Sequence, residues 1–429
     1  MSSTVRAAGA LFSTANPHAL ATILEASQTK SIIASRDIFD ISGIKLWARD
    51  QPVSAALQRK LLDRELRNPL ESCLMAEDGV TPQTLLRATE ALAERDAPIG
   101  ALLRPHAARI VAQVPHLPLH SVAQLLLTAG QASRPESFDH AVQAMALAGA
   151  LMAEHSTSVA ELRIAMLAGL LHDLGEMYID PRYGEADADR QLDFTSYQQL
   201  VVHPHIGRLL LTQLTNYPGA VIEAVAEHHE RLDGSGYPHS LQRDGISPLG
   251  KLLAVTEATL GVLRSERPYL ARISVALRVV PGEYDLSWVG RIADAARVQP
   301  ALHAELGVDE VRARLTRLDG ALQNAQTCAD ELLRATSSPA LKAAVGLAQQ
   351  LLARLRKGWY ASGLWSASSV DAGDAAEVEA IEDELFFRLR SIERAAKLRA
   401  GQVNDSDAIA LQRLYDSLNA GGGSLYERA

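Results

Sequence analysis

Only two cysteines, Cys73 and Cys328, occur in 429 residues, and they lie far apart in the chain. A disulfide framework is thereby ruled out as the scaffold, and a reducing compartment fits better. Aromatic residues are scarce at 5%, and Ala and Leu fill the long stretches instead, which points to helices. No run approaches the roughly 20 apolar residues of a membrane span. The N-terminal MSSTVRAAGALFSTANPHAL lacks both a basic n-region and a long apolar core, so it does not read as a signal peptide. A cytoplasmic protein without a membrane span is expected. Positive charge is also short, with 42 Lys and Arg against 51 Asp and Glu, a net charge of −9. A nucleic-acid polymer is a poor partner for such a chain, because phosphate backbones are held by a Lys/Arg excess. A small phosphate ligand bound through metal ions remains compatible, since the ions bring their own positive charge. What the chain has in quantity is apolar side chains, 47% of all residues, enough for two or three globular domains with a sizeable core.

Three zones follow along the chain. Residues 1–125 form an N-terminal accessory module, in which SIIASRDIFDISGIKLWARDQPVS alternates β-formers around a turn at Ser42-Gly43. Helical text follows from Ala55, so this zone is expected to be a small α/β module without chemistry of its own. Residues 130–275 are helical and hold nearly all the candidate chemistry. Residues 276–429 form a C-terminal helical region, with helix starts at Asp309 and Pro339, an interruption at Ser362–Ala375 and a loose tail at Gly421–Gly423. Its amphipathic stripes suit a bundle core, a homodimer surface or the docking of a protein partner. The expected fold class is mainly α.

Eight of the 13 histidines fall between His140 and His239, where an even spread would put about three. Four elements carry them. Pro135 opens a helix on which Glu136 and His140, four apart, share one face; alone, this pair reads as readily as a surface acid and a histidine. Ser158 and Glu161 form a capping-box pattern ahead of LRIAMLAGLLHDLGE, with His172 and Asp173 at the end of the helix and Gly175 as a left-handed cap. An Asp after so apolar a run is costly if buried unpaired, and metal coordination would remove that cost. In VVHPHIGRLLLTQL, Pro204 fixes the joint at His203, whereas His205 faces elsewhere. Finally, His228 and His229 are adjacent; on a helix they would diverge by about 100° and serve different ions. The glycines and proline of the following loop make a tight turn.

HDLGE, HPHIG and above all HHERLDGSGYP resemble the successive motifs of the HD-GYP family, a branch of the HD metallophosphohydrolases. The resemblance covers residues 130–275, about a third of the chain. The segment DIFDISGIKLWARDQPVS also resembles small modules that precede some such domains. The resemblance implies a central HD-type helical metallohydrolase domain that binds two or three divalent transition-metal ions. His140, His172, Asp173, His203, His228 and His229 match the expected ligands, and Glu136 matches an extra acid of three-metal members. Glu257, in LLAVTEATLGVL, stands where the family has an Asp. Among implied substrate contacts, Gly234, Gly236, Tyr237 and Pro238 shape the mouth, Arg267 is a phosphate contact, and Lys251 keeps the charge of a frequent Arg. Two positions depart from the pattern: Glu176, itself among the implied substrate contacts, replaces a Lys and sets an anion towards the substrate phosphate, and Leu270 replaces a basic residue.

The implied activity is hydrolysis of cyclic di-GMP to pGpG or GMP. Paired ions neutralise phosphate oxygens and ionise a bound water. Asp173 is expected to bridge, with His172 beside it as the second catalytic residue. Imidazole with carboxylate suits iron, manganese or zinc. The alternative is a metal-binding but weakly active cyclic di-GMP receptor or scaffold, which Glu176 and Leu270 favour and the complete ligand series does not.

Overall fold

A computed structural model describes residues 12–183, 194–264, 270–297, 307–361, 375–401 and 403–419. Arg267, most of the Ser362–Ala375 interruption and the Gly421–Gly423 tail lie outside the described residues. The fold is mainly α, with four short strands among the described residues, all N-terminal. The chain forms two compact units, one of residues 1–229 and 246–260, the other of 230–245 and 261–429.

The first unit opens with a small α/β module. Asn16 caps the helix Pro17–Ala26 by accepting from the His18 and Ala19 amides, which satisfies donors that the first turn leaves open. Strand β2 (Ile38–Phe39) pairs with β3 (Lys45–Trp47) antiparallel, and Gly43 at φ +89° supplies the turn between them. Strand β1 (Ile32–Ala34) pairs with β4 (Leu74–Ala76). The expected helical text from Ala55 is present in Ala55–Leu61, Pro82–Glu94, Pro98–Leu103 and Ala107–Val111, and is broken by a 3-10 turn at Leu70–Cys73 that leads into β4. Three residues with Leu74 and Ala76 inward and Met75 outward are too short a period-two signal to read against a helical background.

Helices Ser121–Ser133, Pro135–His155, Val159–Leu171, His203–Leu214, Gly219–Glu227 and Pro248–Leu263 follow. The buried faces of Pro135–His155 and Val159–Leu171 are rich in Ala and Gly. Their backbones nearly touch: a Cβ on Gly169 would lie 2.5 Å from the Ala144 carbonyl oxygen. Small residues thus set the spacing that places His140 opposite His172. Ser158 caps its helix by accepting from the Glu161 amide at 3.3 Å. The reciprocal arm of the capping box is replaced, since the Glu161 carboxylate takes the Ser156 hydroxyl instead.

Gly175 has a different role from the one expected. It is not among the glycines at positive φ and sits inside the 3-10 helix Leu174–Tyr178. A Cβ there would lie 2.0 Å from the His203 carbonyl oxygen and 2.8 Å from the Gly207 amide. This glycine lets the turn after Asp173 press directly on the helix that begins at His203.

In the second unit, helices Val308–Ala335, Pro339–Ala361, Ala375–Ala400 and Asp405–Asn419 form a bundle. Leu318, Leu322, Val345, Leu352, Leu385 and Leu414 are among its core side chains. Trp359 is fully buried and donates its indole N–H to Asp319 at 3.0 Å, so its one polar atom is satisfied inside the core.

Candidate metal centre

Seven side chains from five stretches of the first unit converge. His140 lies in the second turn of Pro135–His155, His172 caps Val159–Leu171, and Asp173 follows it. His203 begins its helix with Pro204 in the first turn. His228 caps Gly219–Glu227 and His229 follows. Glu257 lies in the middle of Pro248–Leu263. All are buried except Asp173, which is partly so.

Three of the imidazoles are held the same way. Nδ1 of His172, His203 and His228 lies 2.7, 2.7 and 2.6 Å from the carbonyl oxygens of Gly169, Leu200 and Val225, each three residues back. A carbonyl oxygen only accepts, so Nδ1 carries the proton and Nε2 is left with a lone pair. Those Nε2 atoms point at one another: His203 and His228 approach to 3.1 Å, as do His140 and His172. Two lone pairs at that separation repel, whereas a cation between them makes both favourable. A backbone carbonyl behind each ligating ring is the support that metal-binding histidines ordinarily have.

Asp173 stands between the two pairs. Its Oδ2 lies 3.2 Å from His140 Nε2 and 3.0 Å from His172 Nε2, and its Oδ1 lies 3.4 Å from His203 Nε2 and 3.3 Å from His228 Nε2. Oδ1 is buried and has no hydrogen-bond partner among the described residues, a costly state for a carboxylate oxygen unless a cation faces it. Glu257 completes the first set, its Oε2 2.9 Å from His140 and 3.2 Å from His172. His229 joins the second. The result is two four-ligand groups, His140–His172–Asp173–Glu257 and Asp173–His203–His228–His229, each with ligand atoms within 4.8 Å of one another. Ligands about 2.1 Å from one ion stand up to about 4 Å apart, and the separations of 2.9–3.4 Å just given lie within that span.

Burial opposes ionisation of Asp173, yet the charge of His172 and the contacts of His140, His172 and His203 hold its carboxyl well below the usual range. Burial also works against a charged His172, but Asp173 and Glu257 outweigh it and raise that imidazole, so an ion that takes up its Nε2 lone pair does so in exchange for a proton. His228 goes the other way: burial first, then the charge of His229, push it down to about 3. It stays neutral and keeps its lone pair at any physiological pH.

The expectation that His228 and His229 diverge does not hold. The helix ends at Glu227, so the pair lies in a turn where the 100° step no longer applies, and their rings approach to 4.1 Å between centroids. Glu136 is exposed in the first turn of its helix and His205 is also exposed; both lie outside the two groups. Glu176 is buried in the Leu174–Tyr178 turn. With Asp173 it lines a cleft walled by Leu126, Phe138, Leu170 and Met177 and edged by Arg134. Arg134 is the cation beside it, donating to the Glu176 carbonyl at 3.4 Å. Arg182, nearby in the chain, pairs with Asp180 at 2.7 Å instead. Lys251 is half-buried on Pro248–Leu263, and Leu270 is buried at the start of Leu270–Ala276. In the second unit, Gly234 has φ +82° and the Tyr237–Pro238 peptide is cis. Gly236 is buried and Tyr237 partly so.

Sequence reading missed Glu227. Its carboxylate accepts from the Ser247 amide at 2.9 Å and the Ser247 hydroxyl at 2.5 Å, and a Cβ on Gly250 would strike it at 2.3 Å. It thereby fixes the start of the helix that carries Glu257. The one available signal was its place immediately before His228-His229. Arg134 left no signal beyond preceding Pro135.

Among known families, residues 131–281 match the family model described as an HD domain. That stretch, about a third of the chain, is similar to HD domains. The chain is similar to a cyclic di-GMP phosphodiesterase of Pseudomonas aeruginosa, 30% identical over 221 residues, covering 51% of this chain and 50% of the relative. A 3'3'-cGAMP-specific phosphodiesterase of Vibrio cholerae is 28% identical over 155 residues, 36% of this chain and 35% of the relative. The cyclic di-GMP phosphodiesterase response regulator of Xanthomonas campestris is 33% identical over 130 residues, 29% of this chain and 32% of the relative. The chain thus spans half or less of the length of these curated relatives. No solved structure gives a significant match.

Proposed function

We propose that the HD domain is a metal-dependent phosphodiesterase that hydrolyses a cyclic dinucleotide, cyclic di-GMP foremost, to pGpG or GMP. The observation that carries this reading is Asp173, with one oxygen turned to each of two converging imidazole pairs. The relatives named as phosphodiesterases of cyclic di-GMP or 3'3'-cGAMP support the substrate class. Divalent ions held by the two groups supply charge for the phosphate oxygens and acidify water. The residues do the rest. His140, His172 and Glu257 hold one side, His203, His228 and His229 the other, and Asp173 fixes the separation between them. His172 and Asp173 are the catalytic pair, because both lie where the two groups meet. Imidazole and carboxylate donors favour iron or manganese, with zinc also suited. Glu136 is the residue through which a third ion would enter, and its exposed place outside both groups speaks for two.

For the substrate we assign Gly234, Gly236, Tyr237 and Pro238 to the mouth and Lys251 and Arg267 to its charge. Along the chain we keep an accessory module at 1–125, the HD-GYP-type domain at 130–275 and a helical region at 276–429, the last offering a surface for a second copy or a protein partner. No described helix is long and apolar enough to cross a membrane; two distant free cysteines fit a cytoplasmic setting. A second reading, a weakly active receptor or scaffold, is favoured by Glu176 and Leu270, an anion and a buried apolar residue at positions read as basic in the family. Metal content and turnover of cyclic di-GMP and 3'3'-cGAMP, measured on one preparation, decide between the two. Two ions per chain with turnover support the hydrolase; ions with tight binding and no turnover support the receptor.

A further inference from the structure

The loop 230–245 is fastened by side chains that lie far along the chain. Arg354, on Pro339–Ala361, donates to the Asp233 carbonyl at 3.0 Å and lies 3.5 Å from its carboxylate. Asp233 in turn holds the loop's tip, accepting from the Ser235 amide at 2.9 Å and the Ser235 hydroxyl at 2.6 Å. A second fastening passes through Glu283. Its backbone carbonyl accepts from the Leu232 amide at 2.9 Å, and its carboxylate meets Arg388, on Ala375–Ala400, at 2.8 Å and Arg231 at 3.8 Å. Both guanidinium groups also stand over the Tyr284 ring, 5.0 Å for Arg231 and 6.0 Å for Arg388. Asp233 and Glu283 are both buried. Breaking a buried, hydrogen-bonded charge pair leaves the remaining charge uncompensated, so these contacts fix geometry firmly. Pro339–Ala361 is itself seated closely, since a Cβ on Gly358 would lie 2.0 Å from the Val279 carbonyl oxygen.

We propose that Arg354, Glu283 and Arg388 are positioning residues for the substrate-admitting loop Gly234–Pro238. All three lie beyond residues 131–281, the extent of the HD domain match, so nothing in that match assigns them a role. The inference rests on the loop assignment made above for a cyclic dinucleotide substrate. A change in the packing of either helix reaches the loop through Asp233 or Glu283 without touching a metal ligand. Displacement of a substrate-positioning group by about 1 Å is enough to cost up to about a hundredfold in rate.

The test uses the full-length, metal-loaded protein with Arg354→Ala, Arg354→Lys and, as a control on the same helix, Arg356→Ala, whose side chain instead meets Tyr360. For Arg354→Ala the KM for cyclic di-GMP should rise about tenfold, with kcat changed far less and metal content unchanged. Amides of residues 231–236 should exchange faster with solvent. Arg354→Lys should restore most of the KM, and Arg356→Ala should match the wild type. Unchanged KM, or a fall in kcat matched by a fall in metal content, overturns the proposal. Absence of turnover in the wild type would instead sink the phosphodiesterase reading. The proposal is then judged by calorimetric binding of cyclic di-GMP, where equal affinity for wild type and Arg354→Ala, or none for either, defeats it.

Discussion

The two ligand groups that share Asp173 are built from different proportions of the same chemistry. In one, His140 and His172 face the carboxylates of Asp173 and Glu257; in the other, His203, His228 and His229 face Asp173 alone. The first attracts a cation through two negative charges, which also raise His172. The second offers lone pairs on rings that burial keeps neutral, as at His228. One side is therefore sensitive to removal of charge and the other to loss of directed nitrogen donors. Asp173 belongs to both, and breaking it should erase the comparison. Asp173→Ala is expected to reduce bound metal to near zero and turnover by at least about a thousandfold, since charge stabilisation and the attacking water are lost together. Elemental analysis beside a turnover assay checks this; retention of two ions would show that Asp173 does not join the groups.

Breaking one side alone should give half the effect. Glu257→Gln keeps the shape of the side chain but removes a charge from the first group. His229→Ala removes a nitrogen from the second. Each is expected to lose about one ion per chain and leave the other group loaded, because the damaged group falls to three donors while the other keeps all four. Loss of both ions from either variant would mean that the groups bind cooperatively, as one cluster rather than two neighbouring sites. Equal, undiminished content in Glu257→Gln would remove Glu257 from the first group.

What the sequence disclosed about this centre was residue type and local joints. The histidine concentration, Asp173 beside His172, Pro135 and Pro204 at helix starts and the Ser42-Gly43 turn all depend on neighbours in the chain, and they were readable. What it concealed depends on contacts between distant segments. Gly175 looked like a helix cap, but only the passage of the His203 backbone across it explains its lack of a side chain. His228 and His229 seemed to diverge because a helix was assumed through them, and that helix stops one residue earlier. Strand β4 exists because β1, about 40 residues before it, needs a partner. Arg134 beside Glu176 and Arg354 on Asp233 likewise have no local signature.

Glu176 sharpens the comparison at its edge, where the first group opens into the cleft. A lysine at this position would place an ammonium close to Arg134 in a largely buried setting. Glu176→Lys is therefore expected to destabilise the fold by about 1–3 kcal/mol through an uncompensated buried charge. It should leave metal content unchanged and should not tighten cyclic di-GMP binding. Thermal melts with calorimetry test this. Tighter binding with an unchanged melting temperature would place Glu176 against the substrate phosphate and restore the sequence-based view of that position.

Glu136 gives the smallest expected effect and bears on the number of ions. It sits on the same helix as His140, one turn earlier and so on the same face, which is why the sequence suggests it as a ligand. Proximity along a face is not convergence, however. His140 is buried and reaches Asp173, His172 and Glu257, whereas Glu136 is exposed at the helix start. A carboxylate in the first turn has a sufficient reason to be there, since it faces the positive end of the helix dipole, worth about 0.3–1 kcal/mol. Glu136→Ala is accordingly expected to cost no more than that in stability and to leave both ions and turnover in place. His205→Ala is the matched control, an exposed histidine outside both groups, and should behave like the wild type. Elemental analysis of Glu136→Ala, His205→Ala and wild type in parallel reads the outcome directly. Loss of about one ion in Glu136→Ala alone would show a third site beside the first group, and the two sides would then differ in the number of ions they hold as well as in charge.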